Sequence, residues 1–547
     1  MTTHDSSDLS RRDFLVLGGA AAAAAALPAT SRPAAAAHAQ PVAAAVPAAE
    51  IEEMTITAMQ EAMQAGRETA QSLTRAYLER IGTLNTQGPM LRAVLAANPD
   101  ALRIAEERDA ERRAGRIRGP LHGIPVMVKD NIDTHDRMAT TAGSWALEHN
   151  IAARDAFIVQ RLREAGAVLL GKANLSEWAN FRGNRSSSGW SGVGGQCRNP
   201  FVLDRSPSGS SAGSGSAVSA NLCAAAVGTE TDGSIISPSN ACGVVGVKPT
   251  VGLVSRSGIV PIAHSQDTAG PMTRTVTDAA LMLNALAGVD PRDPATAEAR
   301  SHIAPDYTAF LRSGRLDGLR IGVPRARFLG NAPFQDAVVG NAIAVLRDVG
   351  AEVVDPADLA TAGQLGRNEI EVLLYEFKAD LNAYLATMPA AVPHRTMADL
   401  IAFNSANATR ELPYFGQELF EQAQEKGPLT EQAYLDARAR CIELTRERGI
   451  DATMNEHRLD ALLGSSGGPA GAIDWVYGER GLGGSSQQPA VSGYPHITVP
   501  SGSYLGLPMN VSFYGRAWSE GVLLRIAYAY EQATNARRAP RFQPTIA

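Results

Sequence analysis

Two serine-rich loops and one lysine carry residue types that suggest amide hydrolysis. Ser210 lies in a loop of small residues that reads SPSGSSAGSG, Ser234 lies in a second loop that reads GTETDGSI, and Lys129 ends the apolar run IPVMVK. A serine hydroxyl needs a neighbouring base to become a good nucleophile. Lysine can be that base when burial disfavours its charged form. Glycine and serine leave the backbone exposed, so that several N–H groups can approach one developing negative charge.

The composition is that of a large globular enzyme. The chain has 547 residues, of which 45% are hydrophobic and 19% are charged, and its formal net charge is -6. No basic stripe or alternation of basic and aromatic residues is present, which argues against nucleic-acid binding. From Glu50 onward we find no charge run, low-complexity linker or internal repeat. We therefore expect a single catalytic domain over residues 50–547.

The N-terminus has the pattern of an export signal. The segment SRRDFL, residues 10–15, precedes a weakly apolar run rich in alanine and glycine that ends at Leu27. An amphipathic helix or a membrane span is the alternative, but the run is shorter than the roughly 20 residues that cross a bilayer. The AHA sequence at 37–39 matches a signal-peptidase site. We predict a twin-arginine signal over 1–39, a flexible leader over 40–49, export by the twin-arginine machinery and no membrane anchor.

Short apolar runs alternate with helical stretches along the rest of the chain. These runs are apolar without strict alternation, as expected for strands that are covered on both faces. The pattern predicts an α/β fold with one large domain, in which helices cover both faces of a central mixed, twisted sheet. Strands are predicted at 124–128, 167–170, 223–227, 244–247, 319–323, 352–354, 461–463, 496–499 and 509–514. Helices are predicted at 55–84, 99–114, 156–164, 277–287, 337–349 and 519–536. Residues 357–449 are predicted to be mostly helical and to form a cap or one side of the substrate entrance.

The four cysteines do not form a metal-binding pattern. Cys197, Cys223, Cys242 and Cys441 have no C-x-x-C spacing and no histidine-rich segment beside them. A structural zinc site is therefore not expected. Export would allow disulfides, but the apolar neighbours of Cys223 and Cys242 are equally compatible with buried free thiols. We expect neither a metal nor a cofactor.

Several motifs together resemble those of a known family. The loop around Ser210, the GTETDGSI segment and the HGIPVMVKD segment that contains Lys129 look like the amidase signature family, whose hydrolases use a Ser-cisSer-Lys triad. The segments GKANLSEW (171–178), GVKPT (246–250) and DTAGPM (267–272) extend the match, which runs from about Glu50 to the end. The resemblance implies the amidase signature fold and hydrolysis of a carboxamide through an acyl-enzyme.

The resemblance also implies a role for each candidate residue. Ser234 corresponds to the nucleophile, Ser210 to the bridging serine that follows a cis peptide bond, and Lys129 to the base. The backbone N–H groups implied for the oxyanion hole are those of Thr231, Asp232, Gly233 and Ser234. We expect the carboxylate of Asp232 to point away from that hole, because a negative charge beside an oxyanion is unfavourable.

Departures from the family pattern bear on the substrate. Many members have Asp-x-Gly-Gly-Ser followed by an arginine, whereas this chain has Glu230, Asp232 and Ile236 in that region. The GTETDGSI version, together with WANF (178–181) and SSGWSG (187–192), resembles the peptide amidase branch, which releases ammonia from C-terminal peptide amides. A general aliphatic or aryl acylamidase is an alternative. So is a non-catalytic or amidotransferase-like subunit on the same fold.

Other residues could in principle supply the chemistry. The sequence GSSAG also fits the G-x-S-x-G pattern, with Ser211 as nucleophile, but that pattern needs a strand directly before it and DRSP stands there instead. The segment GSSGG at 464–468 fits the same pattern and is more typical of a loop. Lys172 and Lys248 are alternative bases. Trp178, Phe181 and Trp190 could line a substrate pocket or pack beneath loops, and the sequence does not distinguish these roles.

Overall fold

The computed structural model of the chain describes residues 50–312 and 314–546. The predicted export signal and leader, residues 1–49, lie outside the described residues. Among the described helices, none is long and apolar enough to cross a membrane.

Thirteen strands occur in the described residues. They are Val94–Ala97 (β1), Pro125–Lys129 (β2), Val168–Ala173 (β3), Trp190–Ser191 (β4), Gly195–Gln196 (β5), Ala225–Glu230 (β6), Val245–Lys248 (β7), Thr268–Thr273 (β8), Arg320–Gly322 (β9), Glu352–Val354 (β10), Ala461–Ser465 (β11), His496–Tyr504 (β12) and Leu507–Tyr514 (β13).

Eleven of these strands form one mixed sheet. Their spatial order is β1-β3-β2-β6-β8-β7-β12-β13-β11-β9-β10, and β4 pairs separately with β5. Strands β3, β2 and β6 are mutually parallel, as are β11, β9 and β10, and the remaining neighbours are antiparallel. Every residue of β2, β3, β6, β7, β8, β11 and β13 is buried. Since successive side chains point to opposite faces, both faces of the sheet are covered.

Helices supply that cover. They are Ile56–Gln64 (α1), Ala70–Leu84 (α2), Ala101–Arg113 (α3), Phe157–Glu164 (α4), Ala212–Ser219 (α5), Ile236–Ala241 (α6), Val276–Leu286 (α7), Pro333–Asp348 (α8), Asn368–Leu385 (α9), Met397–Ala406 (α10), Ala408–Glu411 (α11), Glu418–Gln424 (α12), Gln432–Ile442 (α13), Asp451–Glu456 (α14), Gln487–Ser492 (α15) and Glu520–Thr534 (α16). Short 3-10 segments lie at Trp145–Leu147, Glu177–Asn180, Pro294–Ser301 and Tyr307–Phe310, and a π-helical segment lies at Glu443–Ile450. The predicted α/β fold with helices on both faces is confirmed.

The region 357–449 is mostly helical, as predicted, and has apolar clusters of its own. Leucines and phenylalanines of α9, α10 and α12 pack with Trp178 and Phe181 in one of these clusters. A separate cluster joins α9 to α13. Helix α9 therefore belongs to a second body of packed side chains beside the main sheet core, and its N-terminal turn reaches the candidate site described below.

Two predictions of secondary structure were wrong in detail. The predicted helix 55–84 is two helices, because the chain turns at Gly66 with φ of 70° and α2 restarts behind the capping hydroxyl of Thr69. Strands β1 and β8 and the short pair β4 and β5 were not predicted. β8 lies in the middle of the sheet, between β6 and β7, although Gly270 and Pro271 fall within it. These two residue types normally weaken or exclude a central strand.

Candidate active site

Strand β2 delivers Lys129 to the interior of the molecule. Its Nζ atom lies 2.7 Å from Ser210 Oγ, 2.8 Å from Thr229 Oγ1 and 3.2 Å from the carbonyl oxygen of Thr229. Lys129 and Ser210 are both fully buried. All three partners are neutral oxygen atoms, so no carboxylate directly balances a charge on this amine.

Burial lowers the pKa of Lys129 from 10.5 to about 7. The cause is loss of hydration, which penalises the ammonium form. The negative charges of Asp267 and Glu230 act in the opposite direction but are the smaller influence. A large fraction of Lys129 is consequently uncharged near neutral pH.

The loop around Ser210 is held by close backbone contacts. The Gly209–Ser210 peptide bond is cis, and the carbonyl oxygen of Ser210 accepts a hydrogen bond of 3.0 Å from the N–H of Ser176. A Cβ atom at position 209 would stand 2.2 Å from Ser176 Oγ. A larger residue would have to displace the hydroxyl of Ser176, which accounts for the small residue before the serine.

The second serine lies in the turn between β6 and α6. Ser234 is 8% exposed, and its carbonyl oxygen accepts a hydrogen bond of 3.1 Å from the N–H of Ser211, which ties the two loops together. Gly233 has φ of 75°, a conformation that glycine adopts readily. Within the described residues, Ser234 Oγ makes no hydrogen bond to protein. The N–H groups of Asp232, Gly233 and Ser234 also donate to no acceptor there. These donors are thus available to a bound molecule.

Glu230 fixes the turn that follows Ser234. Its Oε2 atom accepts hydrogen bonds from the N–H groups of Ile235 and Ile236, at 2.7 and 3.0 Å. The side chain is buried, and burial raises its pKa. Thr231 is anchored separately, through a hydrogen bond of 2.6 Å from its hydroxyl to Asp267. The turn is therefore anchored on both sides of the peptide groups of 232–234, whose N–H donors remain free.

The alternative nucleophiles and bases are occupied elsewhere. Ser211 Oγ donates to the carbonyl oxygen of Thr229 and accepts from its N–H. Lys172 Nζ donates to Ile132 O and Thr140 Oγ1, and Lys248 Nζ donates to two carbonyl oxygens near α15. In segment 464–468, the hydroxyl of Ser466 lies against two other hydroxyls within the sheet. Each of these groups thus has partners other than Ser210 Oγ.

The three aromatic residues that could have lined a pocket are buried. Trp178 and Phe181 pack into the α9–α12 cluster. Trp190 makes edge contacts with Tyr414 and Phe415. All three rings therefore pack under the surrounding loops, which favours the packing role of the two that the sequence left open.

A cavity of about 380 Å³ lies beside the candidate site. Thr229 and Thr231 line it, but Ser210 and Ser234 do not. His264 and Asp380 also line it, and together with Glu376 they are the one group of side chains in the described residues whose composition and closeness could suit a metal ion. These side chains already form hydrogen bonds within the protein. Asp380 is hydrogen-bonded to Nδ1 of His264, and Glu376 accepts hydrogen bonds from the N–H of Ser265 and from the hydroxyl of Tyr434.

The structure adds residues that the sequence analysis did not single out. Thr229 provides two of the three neighbours of the Lys129 amine, and Asp267 anchors Thr231. Thr229 lies in the motif GTETDGSI and Asp267 in the motif DTAGPM. The motifs could therefore have pointed to these residues, but the sequence could not show which atoms they contact. The four cysteines are buried and free of disulfides.

Comparison with known proteins agrees with this architecture. The family model "Amidase" matches residues 72–524. The chain belongs to the amidase family. It is 51% identical to the native peptide amidase of Stenotrophomonas maltophilia, with a TM-score of 0.86 over 90% of this chain and 99% of that one. A probable amidase of Arabidopsis thaliana is 42% identical, covering 90% of this chain and 92% of the relative.

The same comparisons place the chain among exported amide hydrolases. A twin-arginine translocation signal matches residues 8–28, so the amidase is exported through that pathway. A glutamyl-tRNA(Gln) amidotransferase subunit of Roseiflexus sp. is 35% identical, over 89% of this chain and 97% of the relative. The amidase fold is thus shared by hydrolases and by subunits of larger enzymes.

Proposed function

We propose that this amidase hydrolyses a C-terminal peptide carboxamide to the peptide acid and ammonia, through an acyl-enzyme on Ser234. The observation that carries the proposal is the 2.7 Å contact between the buried amine of Lys129 and Ser210 Oγ, next to the turn that presents Ser234. The likeness to peptide amidase at 51% identity supports the choice of substrate.

The uncharged amine of Lys129 is suited to accept a proton from Ser210. Such an amine has two hydrogen atoms and one lone pair. The two hydrogens can be donated to the hydroxyl and carbonyl oxygens of Thr229. The lone pair is then left for the hydroxyl of Ser210. In this arrangement Lys129 is a base whose orientation is set before substrate binds.

Proton transfer accompanies each bond change. Ser234 Oγ attacks the amide carbonyl, its proton moves to Ser210, and the proton of Ser210 moves to Lys129. When the tetrahedral intermediate collapses, the same path returns a proton to the departing nitrogen, which leaves as ammonia. Water then attacks the acyl-enzyme with the path used again, which frees the peptide acid and restores Ser234.

The free N–H groups of the 231–234 turn are proposed to stabilise the oxyanion. Asp232, Gly233 and Ser234 have N–H groups without a protein acceptor in the described residues, and Thr231 completes the set predicted from the sequence. Each such donor typically contributes about 2.7 to 4 kcal/mol to transition-state stabilisation. No metal or cofactor is needed for these steps.

Two other functions compete with this one. A general acylamidase would use the same three side chains on aliphatic amides or anilides. An amidotransferase-like subunit is suggested by the Roseiflexus relative, but export through the twin-arginine pathway would separate such a subunit from tRNA. We therefore favour a free-standing hydrolase.

Ser234 is the expected site of acylation. Ser234→Ala should abolish labelling by a fluorophosphonate probe and lower kcat by about a thousandfold or more, because the attacking oxygen is removed. Labelling followed by peptide mass spectrometry checks this. Ser301→Ala, at an exposed serine outside the site, is the matched control and should label normally. Labelling of the Ser234 variant at Ser210 or Ser211 would reassign the nucleophile.

Acid should inactivate the enzyme by protonating Lys129. The base must be uncharged, and its pKa is lowered to about 7, so below pH 7 the active fraction should fall about tenfold per pH unit. The pH profile of kcat/KM measures this. Lys129→Met should remove most activity, whereas Lys426→Met, at a partly exposed lysine paired with Glu371, should not. A rate that stays constant from pH 8 down to pH 5 would exclude a lysine base.

A substrate panel separates peptide amidase from acylamidase. Ammonia release from dipeptide amides should exceed, by about tenfold or more in kcat/KM, the hydrolysis of simple aliphatic amides and of anilides, because only peptides extend beyond the scissile group. The purified enzyme should be assayed with all three classes at one pH. Faster hydrolysis of anilides would favour the acylamidase function instead.

The domain limits are also proposed. We infer that the export signal ends near Ala39, that residues 40–49 form a leader and that the catalytic domain spans 50–547. Intact-mass analysis of the exported protein should show a new N-terminus at or near residue 40. A mature chain that retains residues 1–39, or begins beyond residue 50, would contradict these limits.

A further inference from the structure

Two carboxyl groups meet beside the candidate nucleophile. Asp232 stands two residues before Ser234, and Glu369 lies in the first turn of α9. The two side chains are near enough to perturb one another's pKa, and Asp232 Oδ1 is buried with no hydrogen-bond donor in the described residues. Glu369 is buried and Asp232 is half-buried. Asp232 is also one of the residues whose N–H faces the proposed oxyanion hole.

The pair joins the nucleophile loop to three other parts of the fold. Ser486, just before α15, lies beside the loop, because its Oγ atom would stand 3.2 Å from a Cβ atom at position 233. Gln487 Nε2 donates to Glu369 at 2.8 Å, and Gln266 Nε2 donates to it at 3.3 Å. Gln266 also donates to the carbonyl oxygen of Thr231, at 3.3 Å. The turn that carries Ser234 is therefore tied through this pair to α9, to α15 and to the segment before β8.

Asp232 and Glu369 would repel one another if both were ionised. Each would have only acceptor oxygens, and like charges so close together disfavour double ionisation. Among the described residues, no lysine or arginine donates a hydrogen bond to either group. The charged or titratable groups that face the pair are Lys248 on β7, Glu230 on β6 and Cys441 on α13. A proton held between the two carboxyl groups would remove their mutual repulsion, and no other hydrogen-bond donor with a positive charge is available to do so in the described residues.

We propose that Asp232 and Glu369 share one proton in the active enzyme and act as positioning residues for the oxyanion donors of the 231–234 turn. The inference rests on the proposed amidase mechanism. With the proton present, the pair carries one negative charge and holds the turn against α9. Without it, two adjacent negative charges repel one another beside the site where a third charge develops. The acylation rate should then fall.

The direction of the pH dependence follows from the buried pair. Burial, and then the charge of Asp232, raises the pKa of Glu369 to about 8, and burial raises the pKa of Asp232 as well. The shared proton is therefore present at neutral pH and lost at alkaline pH. Because Lys129 must be uncharged and the shared proton must be present, the activity should depend on pH with a bell-shaped profile. Lys248 is the alternative origin of an alkaline limb, because burial lowers its pKa to about 8.

The decisive variants replace the shared proton with a fixed N–H donor. In Glu369→Gln or Asp232→Asn, an amide can donate to the remaining carboxylate, so the site keeps one negative charge and has no proton to lose. In the wild-type enzyme, kcat/KM should fall about sevenfold between pH 7.5 and pH 9, because the two limbs have free-enzyme pKa values of about 7 and about 8. Each variant should show no fall over this range relative to its own value at pH 7.5.

Glu371→Gln is the matched control, because Glu371 lies on the same helix but pairs with Lys426 instead. It should keep the wild-type alkaline limb. A limb that persists in both pair variants would assign it to Lys248 and overturn the proposal. So would a wild-type rate that stays constant up to pH 9.

The shared proton can also be observed without turnover. In the Ser234→Ala background, the infrared band of a protonated carboxyl group should disappear between pH 7 and pH 10, and the difference from Ser234→Ala/Glu369→Gln should isolate it. Glu177, whose pKa burial raises to about 8, contributes equally to both spectra and cancels. Absence of that difference band would overturn the shared proton even in an active amidase. Its presence in a protein without amidase activity would instead count against the proposed function.

Discussion

The site depends on burying an amine without giving it a carboxylate partner. Lys129 is enclosed by neutral oxygens, of which two belong to Thr229 and one to Ser210. A carboxylate in direct contact would stabilise the ammonium form and keep the pKa high. Lys172, in the adjacent strand, differs in that its amine lies 3.9 Å from Asp130, although burial lowers the pKa of Lys172 as well. The two buried lysines share a sheet but have different electrostatic surroundings.

The two nearby acidic residues, Asp267 and Glu230, form hydrogen bonds with loop residues rather than with Lys129. Asp267 accepts from the hydroxyl of Thr231 and from two backbone N–H groups, and Glu230 accepts from the two N–H groups that follow Ser234. Each carboxylate therefore orders the backbone of a loop rather than neutralising the amine of Lys129. The same contacts position the turn that carries Ser234. Electrostatics and loop geometry are consequently set by the same residues.

Much of this organisation could be predicted from local sequence. The α/β fold and the family could be predicted from three features. These are the apolar strand before Lys129, the small residues around Ser210 and the order of the motifs. Strand β8 could not be predicted from pattern, because Gly270 and Pro271 oppose a central strand. In the fold, a Cβ at position 270 would stand 1.9 Å from the carbonyl oxygen of Val247. The close approach of neighbouring backbone overrides the ordinary preference at that position.

Glu369 could not be found by motif at all. It is far from Asp232 in the chain, and it lies in a helical region whose sequence predicts only a cap. Its place follows from the way α9 packs, through Leu373, Leu374 and Phe377, into the apolar cluster that also holds Trp178. The aspartate at position 232 has a buried Oδ1 atom with no hydrogen-bond donor in the described residues. Under our proposal Glu369 shares a proton with it, so helix α9 and the turn that carries Ser234 are coupled by a contact that neither segment reveals by itself.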